Sequence, residues 1–200
     1  MRNRRGTSGA VIAVGIAALL VACSDPTPRP TPPSSTVASR VDPTTAPALS
    51  PTPSVDPTTA AAEVAILEAY RGYWDTKVRI FAEPNPGSAP FEALWTQFAL
   101  YAVDTAQSDV YSTAFDMQRN GIAVRGQPVL TPSVTKIVPG QSGSITDCVD
   151  STNWQPVYAA TGKSAAAPGQ AARLVTNSTV LFYDNRWVVN SSVVNRSTAC

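Results

Sequence analysis

The stretch "QRNGIAVRGQPVLTPSV", Gln118 to Val134, is where the chain changes character. Before it, apolar residues recur at helical intervals; after it, short β-branched runs are separated by Gly, Pro, Asn and Asp. Asn120 and Gly121 read as a helix stop, because the residue just past a last turn commonly takes a left-handed conformation that glycine adopts without steric cost. The pattern therefore predicts a helix over Ala102–Arg119 and strands from there on.

Working outward from that switch, Ile66, Leu67, Tyr70, Tyr73, Trp74, Val78 and Phe81 lie at helical spacing within Thr59–Phe81 and give a wide apolar face. Gly72 sits inside this helix and costs it about 1 kcal/mol relative to alanine. "AEPNPGSAP" (Ala82–Pro90) breaks it, and Phe91–Phe98 forms a short second helix. On the other side, "GSITDCVD", "WQPVYAA", "QAARLVTNSTVLFYD" and "RWVVNSSVVN" read as strands, with Asp184 and Asn185 of "YDNRW" as a tight hairpin turn. Helices followed by antiparallel strands predict an α+β domain over 59–200, its N-terminal helices packed on one face of a curved antiparallel sheet.

The first 58 residues are of another kind. "MRNRR" and the apolar run Ala10–Ala22 make a signal peptide, too short to read as a spanning helix. "LVAC" (Leu20–Cys23) resembles the lipobox of bacterial lipoproteins, in which cleavage frees a cysteine that carries lipid; residues 1–22 are then the signal peptide and Cys23 the anchor to the membrane. Arg4 and Arg5 leave twin-arginine export open, but without its flanking pattern an ordinary charged leader is the favoured reading. Residues 23–58 are rich in Pro, Thr, Ser and Ala, repeat "VDPTTA" at 41–46 and 55–60, and cannot bury enough apolar surface to fold. They read as a disordered tether that reaches on the order of 100 Å when extended as polyproline II.

With Cys23 committed to lipid, Cys148 and Cys200 are the two remaining thiols of an exported chain, and both arithmetic and compartment favour a disulfide. A nucleophilic Cys148 would need a base such as histidine to raise its thiolate fraction, and the chain has none. The same absence removes the commonest transition-metal ligand, and no cofactor motif occurs: no G-x-G-x-x-G, Walker-type loop or G-x-S-x-G elbow. A net charge of +1 leaves no basic footprint for nucleic acid.

Taken in order, the lipobox, the tether, "AYRGYWD", "GIAVRGQPVLTPSV", "TDCVDSTNW" and the terminal cysteine resemble the small extracytoplasmic lipoproteins of actinobacteria whose domain is similar to nuclear transport factor 2. The resemblance covers nearly the whole chain and implies a cystatin-like cone roll, localisation at the outer face of the cell membrane, and generally no assigned activity. The wider superfamily includes ketosteroid isomerase and cyclases of the SnoaL type beside many binding domains, so fold alone does not decide function.

Two functional expectations follow. An isomerase-like cone would use Asp75 or Asp104 as base and Tyr70, Tyr73 or Tyr101 as hydrogen-bond donors, with Trp74 completing the pocket. Tyr70, Tyr73 and Trp74 equally suit plain core packing, and Asp75 lies within i±4 reach of Arg71 and Arg79 on the helix surface. Asp147 and Asp150 are expected to face away from Cys148, and they lack the spaced oxygen ligands of a calcium loop. The alternative is a non-catalytic binding or assembly module on a stalk, taking a small apolar ligand or an envelope protein. Trp95, Tyr101, Tyr111, Trp154, Tyr158 and Trp187 serve either a pocket or a core. The long tether and the poor catalytic inventory favour the binding module.

Overall fold

A computed structural model describes residues 57–200. The signal peptide, Cys23 and the tether up to residue 56 lie outside the described residues. The elements run α1 (Pro57–Ala82), α2 (Ala89–Phe98), α3 (Asp104–Arg119), β1 (Ile122–Gly126), β2 (Pro132–Val138), β3 (Ser142–Asp150), β4 (Trp154–Tyr158), β5 (Arg173–Tyr183) and β6 (Arg186–Ala199). Helices thus precede strands, and the change falls at Asn120 and Gly121: Asn120 is the C-cap of α3, and Gly121 follows at φ +63°. The second helix starts where Ser88 accepts a hydrogen bond from the Phe91 amide at 3.3 Å, with Pro90 in its first turn.

The strands form two antiparallel sheets, one of four strands in the order β2-β3-β5-β6 and one of two, β1-β4. One continuous sheet was the simplest expectation, and the chain between β1 and β2 explains the division. Gly126 turns to φ +87°, and Pro128 and Pro132 have no amide hydrogen to give a ladder. Register shifts between Val134 and Lys136, Leu174 and Val175, and Thr179 and Val180 mark bulges that bend the larger sheet. The β5-β6 hairpin turns through Asp184 at φ +51° and Asn185 at φ +57°, the two left-handed residues of a type I′ turn.

α1 packs against α2, α3, β1, β2 and β6. Its fully buried side chains include Ile66, Tyr70 and Ile80, which meet Phe91 and Phe98 of α2, Ile145 of β3, Val180 of β5 and Val189 of β6 in one core. Aromatic contacts link the helices: Tyr73 of α1 lies 5.3 Å from Phe98 of α2, ring centre to ring centre, and Trp95 of α2 lies 5.1 Å from Tyr111 of α3. Burial of each such side chain contributes about 1.5–3 kcal/mol. The edge of β6 is covered where it would otherwise be open, since the Val103 amide donates to the Val189 carbonyl at 2.9 Å and the Val189 amide to that of Tyr101 at 2.8 Å.

Cys148 and Cys200 form a disulfide with Cα atoms 5.9 Å apart and a sequence separation of 52. It ties the last residue of the described chain to β3 and contributes about 2–4 kcal/mol by restricting the unfolded chain.

Gly72 has a reason beyond helix propensity. A Cβ at this position would stand 2.3 Å from the Tyr101 ring, so the missing side chain is the seat of that ring. Gly72→Ala is therefore expected to destabilise the domain by about 1–3 kcal/mol despite its gain in helix propensity. In urea unfolding, Tyr101→Ala should recover most of that loss in the double variant; additive losses would show that the ring is not what the glycine accommodates.

Candidate functional site

β3 alternates strictly, with Gly143, Ile145, Asp147 and Val149 buried and their neighbours only half-buried. This periodicity carries Asp147 into the core at 0% exposure, where β3 faces α1. Tyr70, brought by α1, donates its hydroxyl to Asp147 Oδ2 at 3.0 Å. The Thr131 amide, just before β2, donates to Oδ1 at 2.7 Å. Both carboxylate oxygens are thus occupied. Burial raises the Asp147 carboxyl above its usual value, an effect the two hydrogen bonds oppose. The Tyr70 hydroxyl is pushed far up, first by burial and then by the negative charge of Asp147.

Aromatic rings pack beside Tyr70. Tyr73 and Trp74 lie 6.3 and 6.4 Å from the Tyr70 ring, centre to centre, and Trp74 meets Trp154 of β4 edge to face at 5.6 Å. Thr176 of β5 is the cross-strand neighbour of Asp147. The Thr176 hydroxyl and the indole N–H groups of Trp74 and Trp154 are buried without a hydrogen-bond partner among the described residues. Trp154 also stacks on Phe81, 6.1 Å away, and its outer side borders a cleft of about 360 Å³. Tyr70 and Asp147 do not line that cleft.

The residues expected to form a pocket are dispersed. Tyr70, Tyr73 and Trp74 lie together in the core, whereas Asp75 is exposed on the outer side of α1 and Asp104 is exposed at the first position of α3. Arg79 turns to Gln97 at 3.0 Å instead of reaching Asp75. Tyr101 lines a separate cleft with Leu100, Phe182 and Trp187. The carboxylate at the centre is Asp147, which the expectation placed only as a neighbour of the disulfide. Its parity with Ile145 and Val149 was the available signal. Asp147 does face away from Cys148, but Asp150, two residues on, shares the Cys148 side and accepts from the Thr152 amide at 2.9 Å. Its other oxygen lies 3.9 Å from Arg173. Among the described residues, no group of His, Cys, Asp and Glu is arranged to hold a metal, and no helix is long and apolar enough to cross a membrane.

No family model and no curated protein matches the sequence. Among solved structures, the intermembrane-space region of the chloroplast protein ARC6 aligns with a TM-score of 0.39 at 12% identity, over 72% of this chain and 99% of its own. A de novo designed β-sheet protein aligns with a TM-score of 0.34 at 12% identity, over 68% of this chain and 90% of its own. Both likenesses are distant and concern the α+β fold alone. Independently of them, the disulfide points to an oxidising, extracytoplasmic compartment.

The raised Asp147 carboxyl has a measurable consequence. A carboxyl whose folded value exceeds its unfolded one binds more protons when folded, so its contribution is full below the usual 3.8 and is lost as pH rises through the folded value. Urea midpoints taken from about pH 4 to about pH 7 should show the stability difference between wild type and Asp147→Asn shifting in favour of the variant as pH rises. A difference that moves the other way would mean that the hydrogen bonds outweigh burial.

Proposed function

We propose that this protein is an exported lipoprotein, anchored through lipidated Cys23 at the outer face of the cell membrane, whose domain is a non-catalytic binding module held out on the 23–58 tether. The observation that carries the reading is the state of Asp147. A general base needs a carboxylate oxygen that substrate can reach. Asp147 is the one fully buried carboxylate among the described residues, and Tyr70 and Thr131 occupy both its oxygens. The acids an isomerase-like cone would use, Asp75 and Asp104, are exposed on separate elements. The disulfide supports export, and the order of helices and strands supports the resemblance to nuclear-transport-factor-2-like lipoproteins of actinobacteria.

The reading is tested by native mass spectrometry of full-length wild type and Asp147→Asn, each purified from the envelope that produces it. A small molecule or partner protein bound at equal occupancy in both is the expected result. Two bare proteins, or a compound that accumulates on Asp147→Asn because wild type converts it, would overturn it.

A further inference from the structure

The cleft outside Trp154 has the chemistry of a ligand site that the core pair does not explain. Phe81, Met117, Val124, Trp154, Leu174 and Val194 give it apolar walls drawn from both sheets and two helices. No carboxylate lines it, and its one charged side chain is Arg196.

Arg196 is there because of a local irregularity in β6. Val175 pairs with Asn195 but Leu174 pairs with Ala199, so Arg196, Ser197 and Thr198 are extra residues on the β6 side. The Asn195 side chain pins this bulge, its Oδ1 accepting from the Ser197 amide at 3.1 Å and from the Ser197 hydroxyl at 2.7 Å. Bulges re-aim side chains, often beside functional sites. The ion pairs among the described residues join Arg173 to Asp150 and Arg186 to Asp184, so Arg196 keeps its charge uncompensated at an apolar cleft. A cation bordering a largely apolar space matches a ligand with the opposite character.

We infer that this cleft binds an amphiphilic monoanion, an apolar chain or ring ending in a carboxylate, with the anionic group at Arg196 and the apolar body against Trp154 and Phe81. The volume of about 360 Å³ falls within the range of small-molecule sites. This inference rests on the binding-module reading and gives it a ligand class.

The test uses residues 24–200, which retain every described residue and lack the lipid attachment site. Decanoate, decanol and decyltrimethylammonium share one chain length and differ in charge, and each is titrated by calorimetry. Decanoate should bind one to one, decanol about tenfold more weakly and the cation not measurably, as expected for loss of one charge-assisted hydrogen bond. Arg196→Met keeps the apolar stem of a rim residue and should weaken decanoate about tenfold while leaving decanol unchanged. The Trp154 indole signal in nitrogen-15 spectra, identified by its loss in Trp154→Phe, should shift with decanoate.

No binding, or binding indifferent to ligand charge and to Arg196→Met, overturns the inference; the envelope-purified protein would then decide the binding reading separately. Arg196-dependent binding with decanoate recovered chemically altered would uphold the site and overturn the non-catalytic reading instead.

Discussion

The hydrogen bond from Tyr70 to Asp147 joins α1 to β3 across 77 residues of sequence, and much of the interior is arranged around it. A carboxylate buried without partners would carry a large desolvation penalty, so Asp147 restricts how α1 can sit on the sheet. Tyr70 must point inward with its hydroxyl at β3. Tyr73 and Trp74, three and four residues further on, then fall on the same side of the helix. Tyr73 meets Phe98 of α2 and Trp74 meets Trp154 of β4, so a single polar contact sets the helix rotation that the aromatic packing uses.

That arrangement separates the polar centre from the accessible surface. The acid is inside, with a hydrogen bond to each oxygen, while the cleft beyond Trp154 is largely apolar and carries Arg196. An enzyme of the isomerase type would need the reverse, an unsatisfied acid facing an open cavity. The binding module proposed above would need only the cleft, and the disulfide ties Cys200, next after the β6 segment that carries Arg196, to β3.

Much of the fold was legible in the sequence because its signals are local. Asn120 and Gly121 stop α3, Asp184 and Asn185 turn the last hairpin, and the two domain cysteines pair. The division into two sheets was not legible, since it depends on how Gly126, Pro128 and Pro132 together end a ladder. Helix propensity alone makes Gly72 a defect, whereas its role is set by Tyr101 in the segment that follows α2. The candidate site was less legible still. Asp75 and Asp104 are acids near aromatic residues in sequence, yet helix geometry puts Asp75 on the solvent side immediately after two buried rings. Alternation along β3 marked Asp147 as inward-facing, but a carboxylate among β-branched residues is ordinarily taken as exposed. Arg196 had no signal, because the bulge that places it exists only in the pairing of β5 with β6.

The most direct measurement is a double-mutant cycle on Tyr70→Phe and Asp147→Asn, with unfolding free energies from urea titration of both single variants and the pair. If the two residues form the link on which the packing depends, their coupling energy is about 1–3 kcal/mol. Losses that add within about 0.5 kcal/mol would contradict the account, leaving Asp147 independent of Tyr70 and its burial without this structural explanation.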